Sequence, residues 1–197
     1  MAGDPAPKLS PFPGIAPDVW EAYLNAPPHM VAEIIDGELS LMSRPRPRHS
    51  KSASVLNGRL GRFGDPDEGD PGGWIILPEP ELHLGPRPDI VIPDLAGWRR
   101  ERLPEEPADA AIALAPDWVC EILSDSTEAL DRGKKRRIYR REGVKHYWIV
   151  DPRIQTLEVY RLDNGRWNEL DTHEGDAVVR AEPFESMALD LARLWRW

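Results

Sequence analysis

The chain has 197 residues, of which 41% are hydrophobic and 30% are charged, and its formal net charge is −9 at pH 7. This length and composition are typical of one globular domain. The single cysteine excludes an internal disulfide and a cysteine-rich zinc site, and no apolar run approaches the length of a membrane span. Since the N-terminus also lacks a basic region followed by an apolar run, we expect a cytoplasmic protein with no membrane contact.

Positive charge is concentrated in two segments, although a negative total argues against indiscriminate binding to nucleic acid. Residues 43–62 carry six basic residues and no acid, and residues 131–141 carry seven basic residues and one acid, so each segment has a charge of +6. The segments predict a basic face for a polyanion, although two solvated helix faces would explain the charges equally well. The candidate nucleic-acid contacts are Arg44, Arg46, Arg48, Lys51 and Lys134.

The first half of the chain alternates short apolar runs with turn signals. Pro27 and Pro28 end a short helix, and Asp36-Gly37 lies between two apolar-alternating runs, which predicts a β-hairpin. A segment rich in Pro, Gly and Ala precedes these elements and predicts a flexible lead-in. In chain order we predict the lead-in at 1–17, a domain over 18–197, a helix at 18–25, strands at 31–35 and 38–42, a helix at 50–63, a loop at 64–73, and strands at 74–77 and 89–92.

The second half predicts one apolar strand, a basic helix and a meander. Gly143 suits the position after a helix end, and Asn164-Gly165 predicts a second hairpin turn. Because strands and helices alternate in the middle of the chain, we expect an α/β (α+β) fold with a mixed β-sheet flanked by helices. In chain order we predict a connection at 94–116, a strand at 118–123, a helix at 131–141, strands at 147–150, 157–162 and 166–170, and a helix at 188–197.

Two carboxylates lie on otherwise apolar strands. Glu121 lies inside one such run, and Asp89 opens another directly after Pro88. A buried carboxylate needs a partner, a proton or a metal, whereas a lone strand carboxylate is more commonly exposed at an edge. Because two such strands occur, the pair predicts a site for Mg²⁺ or Mn²⁺. A phosphodiester is the natural substrate for such an ion.

Two further charged residues accompany this pair. Lys135 shares a helical face with Asp131 and Tyr139 through a four-residue spacing. Near the end of the preceding strand, a lysine can orient a water or stabilise transition-state charge. Glu33 lies in the first predicted strand and shares a face with Ile35. A surface lysine in a basic run and a solvent-facing carboxylate remain the alternatives for the two positions.

Several motifs follow one another along the chain. In chain order they are Glu33-Ile34-Ile35-Asp36-Gly37-Glu38, Pro88-Asp89-Ile90, Glu121-Ile122-Leu123-Ser124-Asp125-Ser126-Thr127, Asp131 to Lys135, Gly143-Val144 and Tyr147-Trp148-Ile149-Val150-Asp151-Pro152. In order and spacing, over about residues 18–170, they resemble the Uma-type family of restriction endonucleases within the PD-(D/E)XK nuclease superfamily. Each motif alone is weakly specific, and together they are specific.

The resemblance implies a restriction-endonuclease-like core and Mg²⁺-dependent hydrolysis of DNA phosphodiesters. It implies that Asp89 and Glu121 bind the metal and that Glu33 is an accessory acid. The superfamily pattern has a lysine two residues after the glutamate, where this chain has Leu123. The resemblance implies that Lys135 replaces that lysine.

Three functions remain open from the sequence. The first is a metal-dependent DNA endonuclease, for which we expect a homodimer, because cutting two strands with one site per chain favours two-fold symmetry. The second is a catalytically inactive nuclease-fold protein that acts as a nucleic-acid-binding or assembly module, favoured by Leu123 and by the negative net charge. The third is a glycosidase with a carboxylate pair, which the basic segments do not support.

Overall fold

The computed structural model describes residues 12–65 and 69–197. The first eleven residues of the predicted lead-in and residues 66–68 of the predicted loop lie outside the described residues. None of the helices in the described ranges combines the length and the apolar character needed to cross a bilayer.

The strands and helices follow closely on one another along the chain. The strands are β1 (Met30–Ile35), β2 (Glu38–Ser43), β3 (Trp74–Pro78), β4 (Leu82–Leu84), β5 (Asp89–Val91), β6 (Leu95–Arg99), β7 (Trp118–Ile122), β8 (His146–Asp151), β9 (Thr156–Asp163), β10 (Arg166–Glu174), β11 (Val178–Val179) and β12 (Leu189–Asp190). The helices are α1 (Pro17–Leu24), α2 (Pro47–Gly64), α3 (Glu128–Leu130), a π-helical turn (Asp131–Lys135), α4 (Arg136–Arg141) and α5 (Ala192–Trp195).

A six-stranded mixed sheet forms the centre of the fold, with the strand order β10-β9-β8-β7-β6-β3. Strands β7 and β8 run parallel, as expected when a helical crossover joins them, and the other neighbours run antiparallel. A second sheet has the order β2-β1-β5-β4, and β11 pairs with β12. The predicted α/β (α+β) class with a mixed sheet and flanking helices is confirmed. We predicted one sheet, whereas the hairpin of β1 and β2 belongs to a second sheet.

Side-chain alternation along β7 divides the core into two layers. Cys120 and Ile122 pack with side chains of α2, in what we call the α2 layer. Val119 and Leu123 pack with side chains of α4 and of the four-stranded sheet, in what we call the α4 layer. By the two-residue period of a strand, Glu121 faces the α4 layer. This is why its carboxylate meets groups from α4 and from the smaller sheet.

Both predicted hairpin turns are confirmed. Asp36 and Gly37 have φ angles of 55° and 78°, and Asn164 and Gly165 have φ angles of 51° and 72°. Two consecutive positive φ angles are what a type I′ turn requires. The first turn sets the register of β1 against β2, and so it fixes which face of the hairpin carries Glu33.

The helix predicted over residues 131–141 is wrong in its first half, because residues 131–135 form a π-helical turn between α3 and α4. The N–H of Arg136 reaches the carbonyl of Asp131, five residues back. The wider turn still directs Asp131, Lys135 and Tyr139 inward, and all three are buried. Such π-turns inside helices are often found at functional sites.

Three strands lie in segments for which the sequence predicted no regular structure. They are β4 with three residues, β6 within the segment predicted as a connection at 94–116, and β11 with two residues. The prolines and charges around β6 hid its apolar character. The terminal helix predicted at 188–197 is also wrong, because this stretch forms β12 and the short helix α5.

Candidate active site

A cavity of about 660 Å³ is lined by residues from α1, the β1–β2 hairpin, the start of α2 and the loop after β7. Its lining includes Glu121, Lys135 and Asp131 from the α4 layer. It also includes Asp94, the residue directly before β6. Titratable groups from three separate stretches of chain therefore meet at one cavity.

Lys135 is at the centre of this group. Its Nζ lies 2.8 Å from Oε1 of Glu121, 3.1 Å from Oε1 of Glu33 and 3.6 Å from Oδ1 of Asp131. Burial works to lower the pKa of Lys135, but the surrounding carboxylates, Glu121 first, raise it well above its ordinary value. The ammonium group is therefore a permanent charge and hydrogen-bond donor, and it is not suited to act as a base.

Glu121 is held through one of its two carboxylate oxygens. Oε1 accepts hydrogen bonds from the Tyr139 hydroxyl at 2.5 Å and from Lys135. Within the described residues the side-chain contacts of Glu121 all fall on Oε1, which leaves Oε2 for another ligand. Burial raises the pKa of Glu121 well above its ordinary value, Lys135 opposes this, and the neighbouring carboxylates add to the increase.

Glu33 is fully buried on β1. Its Oε1 accepts the backbone N–H of Ile92 at 2.7 Å and contacts Lys135. Its Oε2 is buried and has no hydrogen-bond partner among the described residues. A buried polar atom without a partner is costly, so this oxygen indicates that a ligand or a water belongs beside it.

Asp94 is a site residue that we did not predict. Its Oδ2 accepts the backbone N–H of Ile122 at 2.6 Å, and its Oδ1 lies 3.1 Å from Nε2 of His49. Leu95 pairs with Cys120 across β6 and β7. The next position in this register puts Asp94 beside Glu121, on the same face of the sheet. Pro93-Asp94 repeats the Pro88-Asp89 pair five residues later, and this repeat was the signal available in the sequence.

Asp89 lies outside the group. Its Oδ1 accepts the backbone N–H of Asp36 at 2.6 Å, and its Oδ2 accepts a hydrogen bond from Arg141 at 2.7 Å. Asp89 opens β5, which belongs to the four-stranded sheet, whereas Glu121 lies on β7 of the six-stranded sheet. The strand that pairs with β7 on this side is β6, which follows β5 in the chain. For this reason Asp94, and not Asp89, lies beside Glu121.

Asp131 and His49 complete the group. Burial raises the pKa of Asp131 to about 6, with Lys135 opposing the increase. Burial works to lower the pKa of His49, but its contact with Asp94 outweighs this and raises it. Four carboxylates therefore surround one lysine and one histidine, and the excess of negative charge suits a cation.

The donor set fits a hard divalent ion. Asp94 and Glu121 supply carboxylates from adjacent strands. Over residues 12–65 and 69–197, no group of three or more His, Cys, Asp or Glu side chains is arranged to hold a metal ion. A metal at this pair would therefore take two protein carboxylates and keep waters as its other ligands, as Mg²⁺ commonly does.

The predicted nucleic-acid contacts fall into three groups. Arg44 and Arg46 line the cavity. Arg48 is exposed and Lys51 is half-buried on α2, outside the cavity lining. Lys134 is paired with two acids of the first hairpin, at 3.2 and 3.6 Å. The structure therefore brings two of the five residues to the carboxylates.

Comparisons with known proteins supply the family. The Uma2 family model, described as a putative restriction endonuclease, matches residues 20–192. The crystal structure of a putative nuclease belonging to DUF820 from Anabaena variabilis ATCC 29413 has a TM-score of 0.70 and 24% sequence identity, and the match covers 88% of this chain and 94% of that chain. No curated protein matches the chain. The structural likeness shows a shared fold, and the family match confirms the resemblance seen in the sequence and supports a nuclease. The chain belongs to the Uma2 family of putative restriction endonucleases.

Proposed function

We propose that this protein is an endonuclease that hydrolyses phosphodiester bonds of DNA with Mg²⁺ (or Mn²⁺) as its cofactor. The observation that carries the proposal is the contact of Lys135 with both Glu33 and Glu121, of which Lys135 and Glu121 line one cavity. In this proposal Lys135, from the next helical segment, takes the place of the lysine that is missing from its usual motif position.

Asp94 and Glu121 are the proposed metal ligands. When bound, the ion would polarise a phosphoryl oxygen and activate a water. The chain holds both carboxylates in place, since the Ile122 N–H and His49 fix Asp94 while Tyr139 fixes Glu121. Each ligand thus has a hydrogen-bonded partner that orients it, as metal-binding carboxylates commonly do.

Lys135 is proposed to stabilise the negative charge that develops on the phosphate. A buried ammonium group stabilises such a charge more strongly than an exposed one does, because little water screens the interaction. Its distance of 2.8 Å from Glu121 answers one of the two grounds for the inactive alternative, the leucine at position 123. The other ground, the negative net charge, is unaffected. Glu33, with its unpartnered Oε2, is proposed as the accessory acid that holds a water or a proton.

The DNA backbone is proposed to approach over Arg44 and Arg46, which line the cavity and supply positive charge for phosphates. Arg48 and Lys51 extend this path along α2. Lys134 is the weakest of the predicted contacts, because two acids already neutralise it. A homodimer would present two such cavities for the two strands of a duplex.

Supercoiled plasmid, incubated with the purified protein in Mg²⁺ or Mn²⁺, tests the proposal. We expect nicking by the wild type and a loss of about 100-fold or more in Glu121→Gln and Asp94→Asn, since each removes a charged ligand. Asp89→Asn is the matched control and should nick like the wild type. Equal nicking by all four proteins would contradict the proposal. Loss of nicking in Asp89→Asn alone would show that Asp89, and not Asp94 or Glu121, binds the metal.

A further inference from the structure

We infer that the nucleotide at the cleaved bond is unpaired, with its base held against an apolar wall of the same cavity. The inference rests on the proposed function and adds the class of DNA that the site accepts. It depends on two features of the cavity, namely the depth of its carboxylates and the difference between its walls.

The reacting groups are deep. Glu33, Glu121 and Lys135 are at most 2% exposed, so a phosphate must enter the cavity to reach them. The cavity volume of about 660 Å³ lies within the range of roughly 300–1,000 Å³ found for small-molecule sites. A space of this size accepts a nucleotide or two and is too small to admit a segment of duplex.

The two sides of the cavity differ in chemistry. The side formed by the loop after β7 is polar, with Ser124, Asp125, Ser126 and Thr127. The lining residues from α1 and the first hairpin include several apolar ones, namely Tyr23, Leu24, Met30, Val31, Ala32 and Met42. Of these, Val31 and Met42 form what we call the apolar wall, because they pair across β1 and β2. A charged phosphate gains nothing from contact with apolar side chains, whereas the flat face of a base packs favourably against them.

The apolar wall is in register with the carboxylates. Val31 pairs directly with Met42 across β1 and β2, so the two side chains are neighbours on one face. Glu33 is two residues further along β1 and shares that face, about 7 Å away along the strand. A base against Val31 and Met42 would therefore leave its own phosphate beside the carboxylates.

Tyr23, which packs on the Ile34 side of the first hairpin, adds a fixed aromatic surface to another part of the cavity lining. Its ring stacks on Trp20, with centroids 5.4 Å apart and planes 19° apart, and its hydroxyl is hydrogen-bonded to Glu81. Aromatic and methionine side chains are favourable neighbours for a base face. The wall is thus built from groups that accept any base without reading its sequence.

A paired base cannot reach this wall. In a duplex the base is stacked and paired inside the helix, so the base and the phosphate of one nucleotide can contact the protein together only after the base leaves the stack. This is easiest in a single strand or at an unpaired position. Arg44 and Arg46, in the cavity lining, would then contact the neighbouring phosphates.

The test compares three end-labelled DNAs of one sequence: a single strand, a perfect duplex, and a duplex with one unpaired nucleotide. In Mg²⁺ we expect the wild type to cut the single strand and the unpaired position at least ~10-fold faster than the perfect duplex. Met42→Ala should lose roughly 3- to 10-fold on these two DNAs. Leu41→Ala is the matched control, because Leu41 is exposed next to Met42 and does not line the cavity.

Binding of the same DNAs by Glu121→Gln protein, measured by fluorescence anisotropy, separates this inference from the proposed function. If the wild type cuts none of the DNAs, the proposed function fails, but tighter binding of the single strand that is weakened by Met42→Ala still supports the wall. Equal rates and equal binding on single strand and duplex overturn the inference, as does an identical effect of Leu41→Ala and Met42→Ala.

Discussion

Tyr139 donates its hydroxyl hydrogen to Oε1 of Glu121 at 2.5 Å, and both side chains are buried. The same oxygen contacts Lys135, one helical turn earlier. Burial raises the pKa of Tyr139 well above its ordinary value, and the charge of Glu121 adds to this, so the hydroxyl stays a donor. Two donors on one oxygen fix the orientation of the carboxylate and turn its other oxygen to a different ligand.

Tyr139→Phe removes one of these donors and keeps the ring that fills the core. We expect Mg²⁺ affinity or activity to fall about 10- to 100-fold, as when the partner of a metal ligand is lost. Isothermal titration with Mg²⁺ and plasmid nicking measure the two effects. Tyr147→Phe is the control, since the Tyr147 hydroxyl donates to the backbone carbonyl of Asp131. Equal losses in both variants would contradict a positioning role for Tyr139.

Lys135→Met should leave the buried carboxylates without their central positive charge. Breaking a buried ion pair from one side costs about 3–5 kcal/mol, and Lys135 contacts three acids. We therefore expect the free energy of unfolding in metal-free buffer to fall by about this amount, with nicking lost. Urea denaturation measures the change in stability.

Lys134→Met is the matched control, because the neighbouring lysine is half-exposed and pairs with acids of the first hairpin. Screened surface pairs contribute little to stability, so this variant should unfold close to the wild type. Similar destabilisation by the two substitutions would show that the charge of Lys135 is not what holds the buried carboxylates together.

Several features of the site follow from the sequence alone. The apolar run around Glu121 raised burial with a partner as one of two possibilities, the other being exposure at an edge, and the structure has Glu121 buried beside Lys135 and Tyr139. The four-residue spacing predicted that Asp131, Lys135 and Tyr139 share a face, and the structure brings all three inward. The hairpin was predictable because a type I′ turn depends on two adjacent residues. These are local signals, or periodic ones, that do not depend on distant parts of the chain.

The missed features depend on long-range pairing. Asp94 belongs to the site because β6 lies beside β7, and the two strands are separated by a long connection rich in prolines and charges. Asp89 looked equivalent in sequence, but its strand joins the smaller sheet. His49 is buried against Asp94, although a basic helix predicts exposure. Which of two Pro-Asp pairs meets Glu121 is decided by sheet order, which the local pattern does not encode.

Asp89→Ala should lower stability and leave the chemistry intact. Asp89 joins the turn of the first hairpin to α4, since its two oxygens bind the Asp36 N–H and Arg141. Loss of these hydrogen bonds at a buried position costs about 1–3 kcal/mol. Thermal denaturation measures the stability, and nicking well below the melting temperature should match the wild type per folded molecule. A folded variant without activity would contradict our placement of Asp89.

His146, at the start of β8, should make stability depend on pH. Burial lowers its pKa to about 4, and the positive charges of Arg99 and Arg161 act in the same direction against Glu185. Glu182 lies 3.4 Å from Nδ1 of His146, but Arg161 already pairs with that carboxylate. The imidazole is therefore neutral in the folded protein at neutral pH.

The unfolded chain takes up a proton on this histidine near pH 6.5 and the folded protein does so near pH 4, so stability is lost as pH falls between these values. At about 1.36 kcal/mol per pH unit the loss reaches roughly 3 kcal/mol. In urea titrations at a series of pH values, His146→Gln should show a shallower decline than the wild type. His29→Gln, at an exposed position, serves as the control. Parallel curves for His146→Gln and the wild type would exclude the effect.

Leu123→Lys restores the superfamily pattern and tests whether Lys135 has replaced the motif lysine. Leu123 is buried and faces the α4 layer with Glu121. A second ammonium group beside Lys135 should repel it and displace apolar packing, so the single variant should be destabilised by about 2 kcal/mol or more. Its activity should not exceed that of the wild type.

The double variant Leu123→Lys/Lys135→Met removes this repulsion. A lysine at 123 is two residues from Glu121 on the same face, about 7 Å along the strand, within reach of the carboxylate. We expect the double variant to nick plasmid faster than Lys135→Met and to be more stable than the sum of the single changes predicts. A double-mutant cycle, measured once as the free energy of unfolding in urea and once as the rate of plasmid nicking, gives this coupling. Additive losses in stability and in nicking rate would show that the two positions do not serve the same carboxylate.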